Sequence, residues 1–331
     1  MRLLKIISAK IMSGLAALLL LASCAPSFGP APETSVTPAV ADDAIIARDG
    51  TRLPLQRWEA EGPYAGKPRA VIVALHGMSD YANAFAMPGA VWAKLGITTL
   101  AYDQRGFGRS EHPGIWAGAD TMRSDLNDAL AAAHARYPRV PIFALGESMG
   151  GAVVLTALAS SDPPVADGII LVAPAVWSRG DMPVLYRIAL FLGAHLLPNM
   201  ILSNNAAGRI AKIVASDNIP MLIALGKDPL FQKQTRTATL YGLVNLMDQA
   251  RTAPERMKEG HITSAPPILF LYGANDQIIP KQATEAVIKA LDGKATVKRY
   301  EHGYHMLLRD LEGERVDRDI ADWIFGQARN S

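Results

Sequence analysis

The stretch that constrains this chain most is Gly146-Glu147-Ser148-Met149-Gly150, followed by Gly151. A short apolar run, Pro141 to Leu145, precedes it, and Ala152 to Leu158 follows with the length and hydrophobicity of a buried helix. G-x-S-x-G between a strand and a helix is the sequence form of a nucleophile elbow. The tight turn holds its serine in a strained backbone conformation with the hydroxyl above the sheet. Only glycine at 146 and 150 leaves room for strand and helix to approach that closely. The bare pentapeptide also occurs in chance Gly-rich turns, so the flanking strand and helix give it its meaning. Ser148 is the candidate nucleophile.

Strands and helices alternate around this elbow. Ile45 to Arg48, an Asp49-Gly50 turn and Leu53 to Ala60 predict an antiparallel hairpin. Arg69 to Leu75, Ile97 to Tyr102, Gly168 to Pro174, Pro267 to Tyr272 and Thr296 to Tyr300 read as further strands. Between them lie helices: Ala84 to Leu95 closed by Gly96, Thr121 to Tyr137 stopping before Pro138, and 281–292 ended by Gly293. A last helix carries Val316, Ile320, Trp323 and Ile324. The pattern predicts an α/β fold with a mostly parallel, doubly wound sheet covered on both faces. With 331 residues, half of them hydrophobic, the chain is long enough for one large domain with an insertion.

One stretch breaks the alternation. Residues 175–262 hold helix-like segments such as Pro183 to Leu197 but no convincing strand. The expectation is an inserted helical cap, with 43–174 and 263–331 forming the sheet domain. Arg187 and His195 interrupt the apolar run 183–200, which argues against a membrane-spanning helix there.

A serine nucleophile needs a base to take its proton and a carboxylate to orient that base. With an elbow of this kind the chain order is serine, acid, histidine. Of the seven histidines only His302 and His305 follow the strand 296–300. His305, in Gly303-Tyr304-His305-Met306-Leu307, is the expected base and His302 the runner-up. Asp276 follows the strand 267–272 through Gly273-Ala274-Asn275, at the carboxyl edge where catalytic groups gather on parallel sheets. Asp162, Asp167, Asp181, Asp217, Asp228, Asp248 and Asp292 have no such placement.

Two backbone donors for an oxyanion are expected from Met149, the residue after the nucleophile, and from Met78 in His76-Gly77-Met78-Ser79-Asp80 after the strand 69–75. His76 lies on the wrong loop for a base and reads as a histidine holding that turn. Asp103-Gln104-Arg105-Gly106-Phe107-Gly108-Arg109-Ser110 lacks the G-x-x-x-x-G-K-[ST] arrangement of a phosphate loop. Gly106 and Gly108 are read as turn residues, and Arg105 as a structural charge. No metal or organic cofactor is implied. A formal charge of +2, with no basic tract, gives no reason to expect nucleic acid as a partner.

Residues 1–23 have a basic start (Arg2, Lys5, Lys10), an apolar stretch from Leu15 to Leu21, and small residues before Cys24, the form of a secretory signal. Leu21-Ala22-Ser23-Cys24 resembles the lipobox of bacterial lipoproteins. That resemblance implies that Cys24, the chain's one cysteine, becomes a lipidated N-terminus anchored to a membrane of the bacterial cell envelope. Residues 24–42, rich in Pro, Ala, Ser and Thr, then read as an extended tether of some tens of ångströms at ~3 Å per residue.

With its motifs placed, the sequence resembles the α/β-hydrolases, and within them the monoacylglycerol lipase and lysophospholipase branch. The matching stretches are His76-Gly77, Tyr102 to Ser110, Gly146 to Gly151, Gly273-Ala274-Asn275-Asp276 and Tyr304-His305. The resemblance implies a carboxylic ester hydrolase whose helical cap builds an acyl-binding pocket for a small hydrophobic ester. The same fold hosts aminopeptidases, thioesterases and carbon–carbon bond hydrolases, which stay open as alternatives, as does a lipoprotein that only binds an apolar ligand. Dehalogenase and epoxide hydrolase chemistry is disfavoured, because those relatives carry Asp where Ser148 stands.

Overall fold

Five strands among the described residues are buried along their whole length, because each is a largely apolar run covered on two sides. The computed structural model describes residues 36–203, 213–259 and 265–327. Cys24 and the signal segment lie outside the described residues. The strands of the main sheet are β1 (Ala39–Val40), β2 (Ala44–Ile46), β3 (Arg52–Trp58), β4 (Ala70–Leu75), β5 (Ile97–Tyr102), β6 (Ile142–Glu147) and β7 (Gly168–Val172). Two short strands, β8 (Ile201–Ser203) and β9 (Gln234–Arg236), pair apart from it, and β10 (Ile268–Gly273) and β11 (Ala295–Tyr300) complete it.

The sheet order is β1-β2-β3-β5-β4-β6-β7-β10-β11. From β5 to β11 every pairing is parallel, and β1, β2 and β3 form an antiparallel edge. The helices are α1 (Ala86–Lys94), α2 (Ala119–Arg136), α3 (Met149–Leu158), α4 (Val184–Leu196), α5 (Ile219–Lys227), α6 (Thr237–Glu259), α7 (Lys281–Leu291) and α8 (Gly313–Gln327). Alternate residues of β4 serve the two faces: Val71, Val73 and Leu75 pack toward α2, α3 and α6, while Ala70, Ile72 and Ala74 pack toward α1 and α8. The expected mostly parallel, doubly wound sheet is the fold observed.

Three boundaries differ from the sequence reading. Ala39 and Val40 pair with β2, and Val36 N–H donates to Arg48 O, so the chain joins the sheet edge before residue 43. The reason is Val40, which packs against the core instead of staying in the tether. Second, the inserted stretch is not purely helical, since Ile201 pairs with Arg236 and Leu202 with Thr235 in an antiparallel ladder. Three-residue strands leave too little periodicity to read. Third, α6 belongs to the sheet layer. Its Val244, Leu246, Met247 and Ala250 are buried in the core cluster that includes α3. A crossover from β7 to its parallel neighbour β10 needs a helix laid on the sheet, and α6 supplies it. The part that stands off the sheet therefore ends near residue 236, not 262.

That part is tied to the loops at the carboxyl edge. Gln232 N–H donates to Ser79 O, Tyr81 Oη to Asp228 Oδ2, and Met306 N–H to Ala215 O. No helix among the described residues is long and apolar enough to cross a membrane.

Candidate active site

The elbow is built by exclusion of side chains. A Cβ on Gly146 would lie 2.4 Å from the Gly150 carbonyl carbon, and one on Gly150 2.2 Å from Leu75 O. Glycine at both positions lets β6, α3 and β4 meet, and the turn between β6 and α3 forces Ser148 to φ 53° and ψ −113°. A serine at positive φ is strained, and the surrounding bonds impose it: Ser148 N–H donates to Val172 O, while its carbonyl accepts from Ala152 and Ala175.

The structure brings Ser148, His305 and Asp276 together. His305 Nε2 lies 2.9 Å from Ser148 Oγ, and His305 Nδ1 lies 2.8 Å from Asp276 Oδ2. The carboxylate accepts only, so Nδ1 carries the ring proton and Nε2 is left to accept from the hydroxyl. Asp276 is fixed in turn by its other oxygen, Oδ1, which accepts from Ile278 N–H at 2.8 Å and Ile279 N–H at 3.0 Å. Gly273 lets the two loops meet, since a Cβ there would lie 2.3 Å from the Gly303 carbonyl carbon. His302, the runner-up base, is exposed.

Gly77 packs against the nucleophile, a Cβ on it coming within 3.2 Å of Ser148 Cβ, so the loop carrying Met78 borders the serine. Met149 is the first residue of α3, and the N–H groups of a first helical turn have no partner within the helix. His76 holds its turn: Gln104 N–H donates to its Nε2 at 3.0 Å, and its Nδ1–H donates to Gly77 O at 2.8 Å. Burial holds this imidazole below its ordinary pKa. Arg105 is locked between Asp49 and Asp125, both at 2.7 Å, and Gly106 and Gly108 turn at φ 84° and 56°.

A cavity of about 390 Å³ opens at Ser148 and His305. Much of its lining is apolar, with Met78, Ile213, Phe231, Ile278 and Met306. One wall is not. Arg309 Nη1 lies 2.8 Å from Asp80 Oδ2, and Nη2 lies 3.4 Å from Glu147 Oε2, all three side chains being buried. Burial pushes the Glu147 carboxyl up, against the pull of Arg309. Burial also opposes the charge on Arg309, but Asp80 and Glu147 outweigh it and hold the guanidinium above its ordinary value. The sequence reading missed this cluster. Asp80 and Glu147 stood inside motifs already noted, but nothing local pointed to a cation so far along the chain. No group of side chains among the described residues has the make-up of a metal site.

Fold and site define a class, the serine-type α/β-hydrolases. The family model described as serine aminopeptidase, S33 (Hydrolase_4) matches residues 66–312, and the chain belongs to that family. It is 26% identical to the monoglyceride lipase of Rattus norvegicus over 285 residues, 85% of this chain and 89% of that one. It is 27% identical to the monoacylglycerol lipase of Mycolicibacterium smegmatis over 263 residues, 78% and 88% of the two chains. The fold is shared with the monoacylglycerol lipase of Paleococcus ferrophilus at a TM-score of 0.65 and 18% identity, over 83% of this chain and 99% of that one. It is shared also with a soluble variant of the Saccharomyces cerevisiae monoglyceride lipase at 0.67 and 18%, over 90% and 96%. Sequence and fold together place the chain among carboxylic ester hydrolases of the monoacylglycerol lipase type.

Proposed function

We propose that this chain hydrolyses monoesters of hydrophobic acyl groups, monoacylglycerols or lysophospholipids, with Ser148 as nucleophile, His305 as base and Asp276 as orienting acid. The observation that carries this reading is the unbroken relay from Ser148 Oγ through His305 to Asp276 at the mouth of an apolar cavity. His305 Nε2 takes the hydroxyl proton as Oγ attacks the ester carbonyl. The carbonyl oxygen becomes an oxyanion facing the Met78 and Met149 N–H groups, each such donor worth about 3 kcal/mol of barrier. His305 returns the proton to the leaving alcohol, and an ester now joins the acyl group to Ser148. Water then repeats the sequence, giving up a proton to His305 and releasing the carboxylic acid.

Support for a lipidic substrate comes from the apolar cavity and from Leu185, Tyr186, Ile188 and Phe191 of α4, which stand exposed on the inserted part. Exposed apolar patches of this kind mark interaction surfaces. The inserted part is read as the cap over the acyl pocket. Lipidation of Cys24 would hold the catalytic domain at a membrane of the bacterial cell envelope, beside such substrates.

An aminopeptidase would need an unengaged carboxylate in the inserted part to hold a substrate amine. In that part Asp228 accepts from Tyr81, Asp217 from Leu311 N–H, and Asp181 from Ser178; Asp248, which accepts from Arg179, and the exposed Glu255 and Glu259 lie on α6 in the sheet layer. Ester turnover is therefore the preferred reading. The deciding experiment compares p-nitrophenyl esters and monoacylglycerols with aminoacyl-arylamides, together with fluorophosphonate labelling of wild type and Ser148→Ala. Ester hydrolysis and labelling that both vanish in the variant are expected. Turnover that survives Ser148→Ala, or arylamide cleavage exceeding ester cleavage, would end the proposal.

A further inference from the structure

Glu147 immediately precedes Ser148, so the elbow itself fixes a carboxylate next to the nucleophile. It faces His305 electrostatically as well as Arg309, Asp80 and Asp310. Arg309 in turn faces Asp80, Glu147 and Asp310. Behind them His76 is held neutral by burial, against the fields of Asp80 and Asp103. Asp317 of α8 also feels Glu147, and burial pushes its carboxyl well above the usual range. With Asp276 on the far side of the imidazole, Arg309 stands as one cation among several carboxylates around this floor.

Stability does not account for the cluster. Buried ion pairs gain little over an apolar core of the same shape. Glu147 Oε1 and Arg309 Nε also find no hydrogen-bond partner among the described residues, so the network is only partly satisfied. Its position offers a better reason. An imidazole between two uncompensated carboxylates holds its proton to higher pH, which works against taking the Ser148 proton. The oxyanion, too, would form beside a bare negative charge.

We infer that Arg309 is a positioning residue for hydrolysis, acting through Glu147: its guanidinium cancels the field of that carboxylate at His305 and at the nascent oxyanion. The inference rests on the proposed roles of Ser148 and His305. It predicts shifts of opposite sign from the two partners. Removing the cation leaves Glu147 and Asp80 uncompensated and moves the acid limb of the kcat/KM profile to higher pH. Removing the Glu147 charge takes one negative field away from His305 while Arg309 stays paired with Asp80, and moves the limb to lower pH.

The test is the pH profile of kcat/KM on a soluble p-nitrophenyl ester, with the full chain as wild type, Glu147→Gln, Arg309→Met and the double variant. Shifts of about half to one pH unit are expected, downward for Glu147→Gln and upward for Arg309→Met, as a nearby charge gives at an effective dielectric of about 20. The double variant should return toward wild type. Glu147→Gln keeps the shape and an acceptor for Arg309, so it decides the matter even if Arg309→Met does not fold. A Glu147→Gln profile lowered in height but unmoved along the pH axis would overturn the inference, because that is what a purely structural pair would give. Turnover that persists in Ser148→Ala would instead remove the reading beneath it.

Discussion

Gly150 has its α-carbon so close to Leu75 that a methyl group on it would meet the Leu75 carbonyl oxygen at 2.2 Å. The atom in the way is backbone at the end of a central strand, paired on both sides with β5 and β6, and it cannot swing aside. Gly150→Ala should therefore destabilise the chain by about 3 kcal/mol, the upper end for overpacking, and misplace Ser148 in whatever folds. Urea unfolding and fluorophosphonate labelling check this together. A variant with wild-type midpoint and labelling rate would show that the elbow tolerates a side chain.

Asp276→Asn isolates the orienting acid without disturbing the shape. Oδ1 is committed to the N–H groups of Ile278 and Ile279, so the amide nitrogen of asparagine must replace Oδ2 opposite His305 Nδ1. Two donors then face each other, the ring proton moves to Nε2, and the imidazole can no longer accept from Ser148. The expected result is a loss of about 10⁴ in kcat with KM and stability little changed. A fall below tenfold in steady-state assays would remove Asp276 from the proposed relay.

What could be read from the sequence is what short-range physics writes into it. The glycines at 146 and 150, the unbroken apolar run from Ala70 to Leu75, and the order of Ser148, Asp276 and His305 are local patterns or follow from chain order on a parallel sheet. The structure brings those three side chains together and leaves His302 in solvent. Less legible was anything that depends on which distant surface a segment meets. The apolar stripe of α6 has the same period whether it faces an insertion or the sheet, so its place in the core could not be told from the pattern alone. The pairing of Glu147 with Arg309 is equally silent, because opposite charges scattered through a chain carry no address.

Arg105 separates a structural charge from a functional one. Its guanidinium joins Asp125 and Asp49 and also donates to Thr51 Oγ1, tying the loop after β5 to α2 and the edge hairpin. Burial pushes the Asp125 carboxyl up to about 6 despite that partner, so losing the cation strands an acid with almost no access to water. Arg105→Met should cost about 3 kcal/mol in unfolding free energy. The fraction that remains folded should keep wild-type KM and an unmoved pH profile. A changed profile with unchanged stability would give Arg105 a part in the chemistry.

Asp310 joins the inserted part to the loop that carries His305. Its Oδ1 accepts from Ser216 Oγ at 2.6 Å, and its Oδ2 accepts from Tyr304 N–H at 2.6 Å, one residue before the histidine. Burial pushes this carboxyl up to about 6, outweighing both hydrogen bonds. In the unfolded chain it titrates near 3.9, the ordinary value for Asp. Between roughly pH 4 and 6 the folded chain thus binds more protons than the unfolded one. The stability this group contributes is complete below the lower value and is lost as pH rises through the upper one, at most about 3 kcal/mol. Asparagine at 310 is always neutral and can keep both contacts, accepting from Tyr304 while donating to a reoriented Ser216 hydroxyl. Relative to Asp310→Asn, wild type should therefore lose about 2 kcal/mol of unfolding free energy between pH 4 and pH 7. Asp125 titrates in the same range, but it is common to both proteins and cancels in the comparison. Urea unfolding across that range reads the difference directly, and parallel stability curves for the two proteins would show that Asp310 carries no such linkage.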